Sequence, residues 1–173
     1  MAPLTLAEVN ALDPASFVAM FGGIVEHSPW VAERVVVARP FADREALVGA
    51  FHEALRAADE PTRRQVVEAH PDLGGKLAQR GALTAASAAE QHGAGLDLLT
   101  EAERVMFTEL NEAYRTKFGF PFVFAVKGST KDDVLRAFED RLPNAVGVEL
   151  ANAVEEIALI ARFRLHDLVR QEG

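Results

Sequence analysis

Helix-start signals recur along the whole of this chain, and they restrict its possible folds more than any other feature of the sequence. Thr5-x-x-Glu8 and Thr100-x-x-Glu103 read as capping boxes, in which a hydroxyl and a carboxylate satisfy amide groups that the first turn of a helix leaves without partners. Asp13-Pro14 places a capping carboxylate before a proline at the first helical position, where the missing N–H costs nothing. From Arg44 to Ala58 the apolar residues Leu47, Phe51, Leu55 and Ala58 step by four or three, which predicts an amphipathic helix. A second such helix is predicted from Glu101 to Phe118, with Met106, Leu110, Ala113 and Lys117 continuing the spacing less cleanly. Glu60-Pro61 opens a shorter helix that has to stop near His70, because Pro71 disfavours helical geometry in the residue before it.

Between these segments stand clear breaks. Glycines 74, 75 and 81 prescribe a turn-rich connection, and further breaks fall at Gly93 and Gly95, at Lys127-Gly128-Ser129, and at Pro143-Asn144 before a long closing helix. The stretch from Phe118 to Val126 is the exception, since its aromatic and β-branched residues suit a strand for which no partner is evident. It is expected to run as a buried extended loop in its first half and to re-enter a helix in its second. No linker divides the chain and no internal repeat appears. With 173 residues, 49% of them hydrophobic, there is enough apolar material for one continuous core, and the expectation is an all-α, single-domain helical bundle over residues 1–173.

Composition removes several classes of function. The formal net charge is -8 and Lys and Arg are not clustered, which argues against a nucleic-acid partner, because phosphate binding needs basic residues gathered on one face. There is no cysteine, so disulfides, thiolate nucleophiles and Cys-based zinc sites are excluded, and any nucleophile is oxygen or nitrogen. Met1 to Asn10 lacks the basic and apolar regions of a secretory signal, and the longest apolar run, Phe118 to Val126, is too short to span a bilayer. The end of the chain, Val169-Arg170-Gln171-Glu172-Gly173, carries no peroxisomal address. A cytoplasmic location without membrane contact is therefore expected.

Three groups of residues exceed what folding asks of them. In the closing helix Leu150, Val154, Ile157, Ala161 and Leu168 form one stripe at spacings of four and three, and Arg164 occupies the same stripe. A guanidinium turned toward a core has to meet a carboxylate, backbone carbonyls or an anionic ligand, since an unpaired buried charge is costly. Arg162 and Arg170 lie off the stripe and are expected in solvent. His70 follows Val66 and Val67 by four and three residues, so it closes a helix facing inward beside a loop; it is either a core imidazole satisfied by a carbonyl or a general acid or base. Ser87, Glu90 and Gln91 stand at i, i+3 and i+4 and share a helical face if Ala85 to His92 is helical. Ser87-x-x-Glu90 is then either a capping box or a polar face offered to a ligand.

Other chemistries fit poorly. A metal site built on His70, Glu90 and His92 is not expected, as there is no HExxH and Glu90-Gln91-His92 cannot put both ends on one face. His27, His52 and His166 have no local partner pattern and are read as surface or core-edge residues. A Ser-His-acid hydrolase would need a GxSxG elbow and an alternating strand-helix scaffold, and the chain has neither.

Several uncommon blocks occur in order: Val25-Glu26-His27-Ser28-Pro29-Trp30-Val31-Ala32-Glu33, Arg39-Pro40-Phe41, His70-Pro71-Asp72-Leu73-Gly74, Ser87-x-x-Glu90-Gln91, Ala94-Gly95-Leu96, Lys117-Phe118-Gly119-Phe120-Pro121-Phe122, Glu156-Ile157 and Arg164-Leu165. Through these blocks nearly the whole chain resembles the 2-oxo-4-hydroxy-4-carboxy-5-ureidoimidazoline (OHCU) decarboxylases, which form allantoin in urate catabolism. The resemblance implies an all-α bundle that forms homodimers and works without metal or organic cofactor. It implies His70 as catalytic residue with Glu90 and Arg164 beside it. Contacts to the small ureidoimidazoline substrate are implied for Pro71, for Ser87, Ala88, Ala89, Glu90 and Gln91, and for Phe122, Val123, Phe124, Ala125 and Val126, the last group through backbone atoms. Phe120, Phe122 and Phe124 are expected to supply dry walls. A non-catalytic binding module of the same fold, or a lyase acting on a related ureido compound, are the competing readings.

Overall fold

The computed structural model describes residues 2–75 and 83–170, so the expectation for Gly81 and that for Gln171 to Gly173 lie outside the described residues. Among the described residues the α-helices are α1 Leu6–Ala11, α2 Pro14–Phe21, α3 Trp30–Val35, α4 Arg44–Arg56, α5 Glu60–Glu68, α6 Ala85–Gly93, α7 Glu101–Phe118, α8 Lys131–Arg141 and α9 Val146–Leu168, with a 3-10 turn at Val36–Ala38. No strand occurs among them; one isolated parallel bridge joins Leu4 to Val169. The start signals do the work the sequence predicts. Thr5 and Thr100 close capping boxes with Glu8 and Glu103, Asp13 caps α2 ahead of Pro14, and Asp59 caps α5 ahead of Pro61. A further box, Thr130 with Asp133, starts α8.

The contacts gather into two compact units, Met1–Ala69 with Ile157–Gly173, and His70–Glu156. In the first, α3 packs on α2 and α4, and Phe17, Phe21, Leu47, Phe51, Leu55 and Leu165 are fully enclosed. The α4 stripe is as expected, with Leu47, Phe51, Leu55 and Ala58 all buried. The two ends of this unit are joined where Leu4 accepts from the Arg170 amide at 2.9 Å and donates to Leu168 at 2.8 Å. His52 Nε2 donates to the Ala158 carbonyl, 2.8 Å away, and His166 meets Glu45, so both sit at the edge of the core while His27 is exposed.

The second unit is built on aromatic rings. Tyr114 lies edge-on to Phe122 at 5.1 Å and Phe122 stacks on Phe138 at 3.8 Å, with Phe107, Phe118 and Phe120 enclosing them. Two expectations fail here. The buried stripe of α7 is Phe107, Asn111, Tyr114 and Phe118, one residue later than Met106, Leu110, Ala113 and Lys117, and Met106 is 45% exposed. The aromatic rings bury far more surface than the aliphatic set, so they decide which face turns inward. Asn111 hides this stripe from a hydrophobicity count, yet it is tolerated inside because its amide donates to the Leu73 and Phe107 carbonyls, each at 2.9 Å.

The second failure is in the stretch after α7. Gly119 ends α7 in the left-handed region, and residues 121–126 then run without helix, turn or bend; helix resumes only at Lys131. Pro121, Phe122, Val123, Ala125 and Val126 are all buried, a run without the polar face that a half-buried helix would need. An unwound run carries unsatisfied peptide groups into the core, and their partners belong to the site.

Candidate active site

The residues expected to act lie on three stretches of the second unit, the turn after α5, α6 and residues 121–126, and on α9 in the first. His70 comes directly after the C-cap of α5 at Ala69 and is buried, with 6% exposure, as the spacing from Val66 and Val67 predicts. Pro71 then turns the chain away. The turn at residues 71–75 is held from three directions within its unit. Gln91 accepts the Gly74 amide at 3.0 Å and donates to the Asp72 carbonyl at 3.3 Å. Asn111 donates to Leu73, and Arg115 pairs with the Asp72 carboxylate at 2.9 Å. Gly74 has φ +60°, and a Cβ there would come within 3.0 Å of Leu99 and 3.4 Å of Phe107, so both backbone conformation and space call for glycine.

Helix α6 starts where the Thr84 hydroxyl accepts the Ser87 amide, so Thr84 rather than Ser87 is its cap and the Ser87-x-x-Glu90 box is not formed. That earlier start makes Ala85 to His92 helical, as the shared polar face requires. Ser87 and Gln91 are buried, Glu90 is half-buried, and Ala88 and Ala89 are exposed. Gln91 ties the turn after His70 to α6, the helix that carries Glu90. The Gln91 amide is thereby engaged by the turn itself.

Peptide groups of the unwound stretch after α7 are met by charged side chains. The Val123 carbonyl accepts from Arg141 Nη1 at 2.7 Å, and the Ala125 amide donates to Glu156 Oε2 at 2.8 Å. Arg141 is itself fixed by the fully buried Glu149, whose Oε2 accepts from its Nε at 3.0 Å. The Tyr114 hydroxyl makes a short hydrogen bond to the same carboxylate, and Asn144 and Asn152 each donate to its other oxygen at 2.8 Å. Burial alone would raise the Glu149 carboxyl, but these hydrogen bonds outweigh it and hold the group below the usual carboxylate range. Burial, with Glu149 beside it, pushes the Tyr114 phenol well up. The Phe122 ring is spent on Phe138 and on the Arg141 guanidinium 4.5 Å away. Phe120 and Phe122 are therefore core rings, and of the three phenylalanines proposed as walls Phe124 alone is half-buried.

In the first unit Arg164 is buried on its α9 stripe together with Ile157 and Ala161, as the spacing predicts. Its Nη1 donates to the Glu26 carboxylate at 3.1 Å and to the Ile24 carbonyl at 3.2 Å. Both kinds of partner named from sequence, a carboxylate and a backbone carbonyl, are present. Glu26 is itself buried in the segment between α2 and α3. Arg162 pairs with Glu45 at the surface, and Arg170 is exposed. Among the described residues no group of three His, Cys, Asp or Glu side chains is placed to hold a metal ion, and no helix is long and apolar enough to cross a membrane.

A family model described as OHCU decarboxylase matches residues 10–166, a span that takes in the His70 turn, α6, the 121–126 stretch and Arg164. The chain belongs to the OHCU decarboxylase family. It is 44% identical over 172 residues to the 2-oxo-4-hydroxy-4-carboxy-5-ureidoimidazoline decarboxylase of Haloferax volcanii, covering 99% of this chain and 100% of that protein. A human protein named as a putative decarboxylase of the same kind is 40% identical, with 98% of each chain covered. Among solved structures, that of an (S)-allantoin synthase superposes with a TM-score of 0.77 at 29% identity; it covers 96% of this chain, which spans 54% of that one.

Reading the sequence missed Glu26, Asn111, Arg141, Glu149 and Glu156 as polar groups that hold family residues in place. Glu26 and Glu156 do lie inside the blocks that carry the family resemblance. Asn111, Arg141 and Glu149 left no signal, because a lone polar residue on a helix gives no sign of the partner that makes its burial tolerable.

Proposed function

We propose that this chain decarboxylates OHCU to (S)-allantoin, with His70, Glu90 and Arg164 as the residues that act on the substrate. The observation that supports this reading is the bonding of the turn after His70 to Gln91 of α6, the helix that also carries Glu90, within a family whose named relatives are OHCU decarboxylases. The substrate carries its carboxylate on a carbon next to a ring carbonyl. When the bond to carbon dioxide breaks, its electron pair delocalises onto that carbonyl oxygen as an enolate, so the substrate is its own electron sink and no organic cofactor is called for. What the protein supplies is orientation of the departing carboxylate, donors where negative charge develops, and one proton delivered to one face of the carbon.

In this reading His70 and Glu90 bind the hydroxyl and carboxylate end, and one of them returns the proton. Arg164, held by Glu26 and the Ile24 carbonyl, binds a ring or ureido oxygen. Pro71, the α6 residues Ser87 to Gln91, and backbone groups of 122–126 line the heterocycle, with the whole chain acting as one catalytic domain. The family resemblance also supports a homodimer working in the cytoplasm, which light scattering of the purified protein and fractionation of its source cells would check.

The test is circular dichroism of the allantoin formed when urate is oxidised and the hydroxyisourate hydrolysed enzymatically, with and without this protein. Spontaneous decay gives racemic product, so rapid appearance of one enantiomer marks turnover. His70→Asn, Glu90→Gln and Arg164→Leu should each lower kcat/KM by about a hundredfold or more, the usual scale for a lost acid, base or charge-stabilising group. Folded variants that keep near-normal turnover would overturn these assignments, and racemic product with the wild-type protein would overturn the activity itself.

A further inference from the structure

The stretch 121–126 is buried without a neighbouring strand, yet two of its peptide groups are met as a strand would meet them. In a parallel ladder one residue of the neighbouring strand donates to the carbonyl before a given residue and accepts from the amide after it. Around Phe124 that donor is Arg141, at the Val123 carbonyl, and that acceptor is Glu156, at the Ala125 amide. Two charged side chains from α8 and α9 thus stand in for a missing strand. Among the described residues no hydrogen bond engages the Phe124 amide or carbonyl, and Phe124 is the half-buried member of the run.

We propose that Arg141 and Glu156 are positioning residues that hold this stretch so that the Phe124 peptide groups are presented to the substrate. The inference rests on the decarboxylase reading above and on the role it gives to residues 122–126. Both residues act through the backbone and neither touches the reacting carbon. Arg141 is held by Glu149 and Tyr114, and Glu149 in turn by Asn144 and Asn152, so the position of Arg141 is over-determined. Glu156, half-buried on α9, reaches the Ala125 amide by its own side chain and is the sensitive member of the pair.

That difference makes Glu156 the residue to change. Glu156→Gln keeps an acceptor oxygen at the same reach, and Glu156→Asp keeps the charge but withdraws it by one methylene. Ala is the best helix former, so Glu156→Ala leaves α9 intact. If the carboxylate positions backbone, reach decides: Glu156→Ala and Glu156→Asp should raise KM by about tenfold with kcat little changed, the pattern of lost binding rather than lost chemistry, while Glu156→Gln stays within about twofold of wild type. A KM for Glu156→Asp equal to wild type would overturn the proposal, as would equal damage in Glu156→Gln and Glu156→Ala. The Asp and Gln variants decide the matter even where Glu156→Ala fails to fold. A wild-type protein that gives no enantiomer excess overturns the decarboxylase reading and this inference with it; wild-type turnover with unaltered Asp and Ala variants overturns this inference alone.

Discussion

At the scale of single residues, the buried side chains of Arg164, Asn111 and Arg141 each meet a partner that no local pattern announces. Arg164 was legible as an inward charge because it interrupts an apolar stripe, but Glu26, its partner, lies 138 positions away in sequence. Asn111 is the sharper case. It breaks the α7 stripe and looks out of place inside, yet it satisfies the Leu73 carbonyl in the turn after His70. Replacing it with leucine would perfect the hydrophobic pattern of the helix and should nonetheless destabilise the fold by about 1–3 kcal/mol, the cost of leaving a buried carbonyl without its donor. Urea unfolding of Asn111→Leu measures this, and a gain in stability would show that the amide is dispensable. Turnover of the same variant should fall further than its stability alone explains, since the turn that carries His70 loses one of its three holds.

At the scale of elements, the caps were read directly and the faces only in part. Thr, Asp and Pro at helix starts act through neighbours three residues away, so the sequence contains the whole interaction. Thr84 gives no capping-box signal because the residue at its third position is Ser87 rather than an acid. At nine residues α6 depends on this one side-chain cap, and Thr84→Ala should cost about 1 kcal/mol. A thermal melt detects that loss, and an unchanged Tm would mean that packing of Ser87 and Gln91 holds the helix start by itself. The α7 face was misplaced by one residue for a related reason: counting apolar residues weights Met106 and Leu110 like rings, whereas the area buried by Phe107, Tyr114 and Phe118 decides the rotation of the helix.

At the scale of the molecule, the deepest charge is Glu149, and it gives folding a pH dependence of known sign. Its carboxyl is held below its ordinary value of 4.5 in the folded protein. The stability this adds is fully present above that ordinary value and is lost as pH falls through the lower folded value, because the unfolded chain binds the proton first. Stability measured by urea from pH 7 downward should therefore drop through the acid range, and Glu149→Gln, though less stable at pH 7, should show a shallower drop; parallel curves for the two proteins would assign the acid sensitivity elsewhere. The sequence by itself determined the helical class, the positions where most of the described helices begin, the inward direction of His70 and Arg164, and the family. These depend on interactions within four residues or on whole blocks of residues read in order. Only the tertiary structure decided that 121–126 stays unwound, that Gln91 ties α6 to the His70 turn, and that Arg141 and Glu156 meet its backbone. Each of those is a hydrogen bond between segments far apart in the chain, formed because a buried peptide group or charge has to find a partner that the local sequence cannot supply.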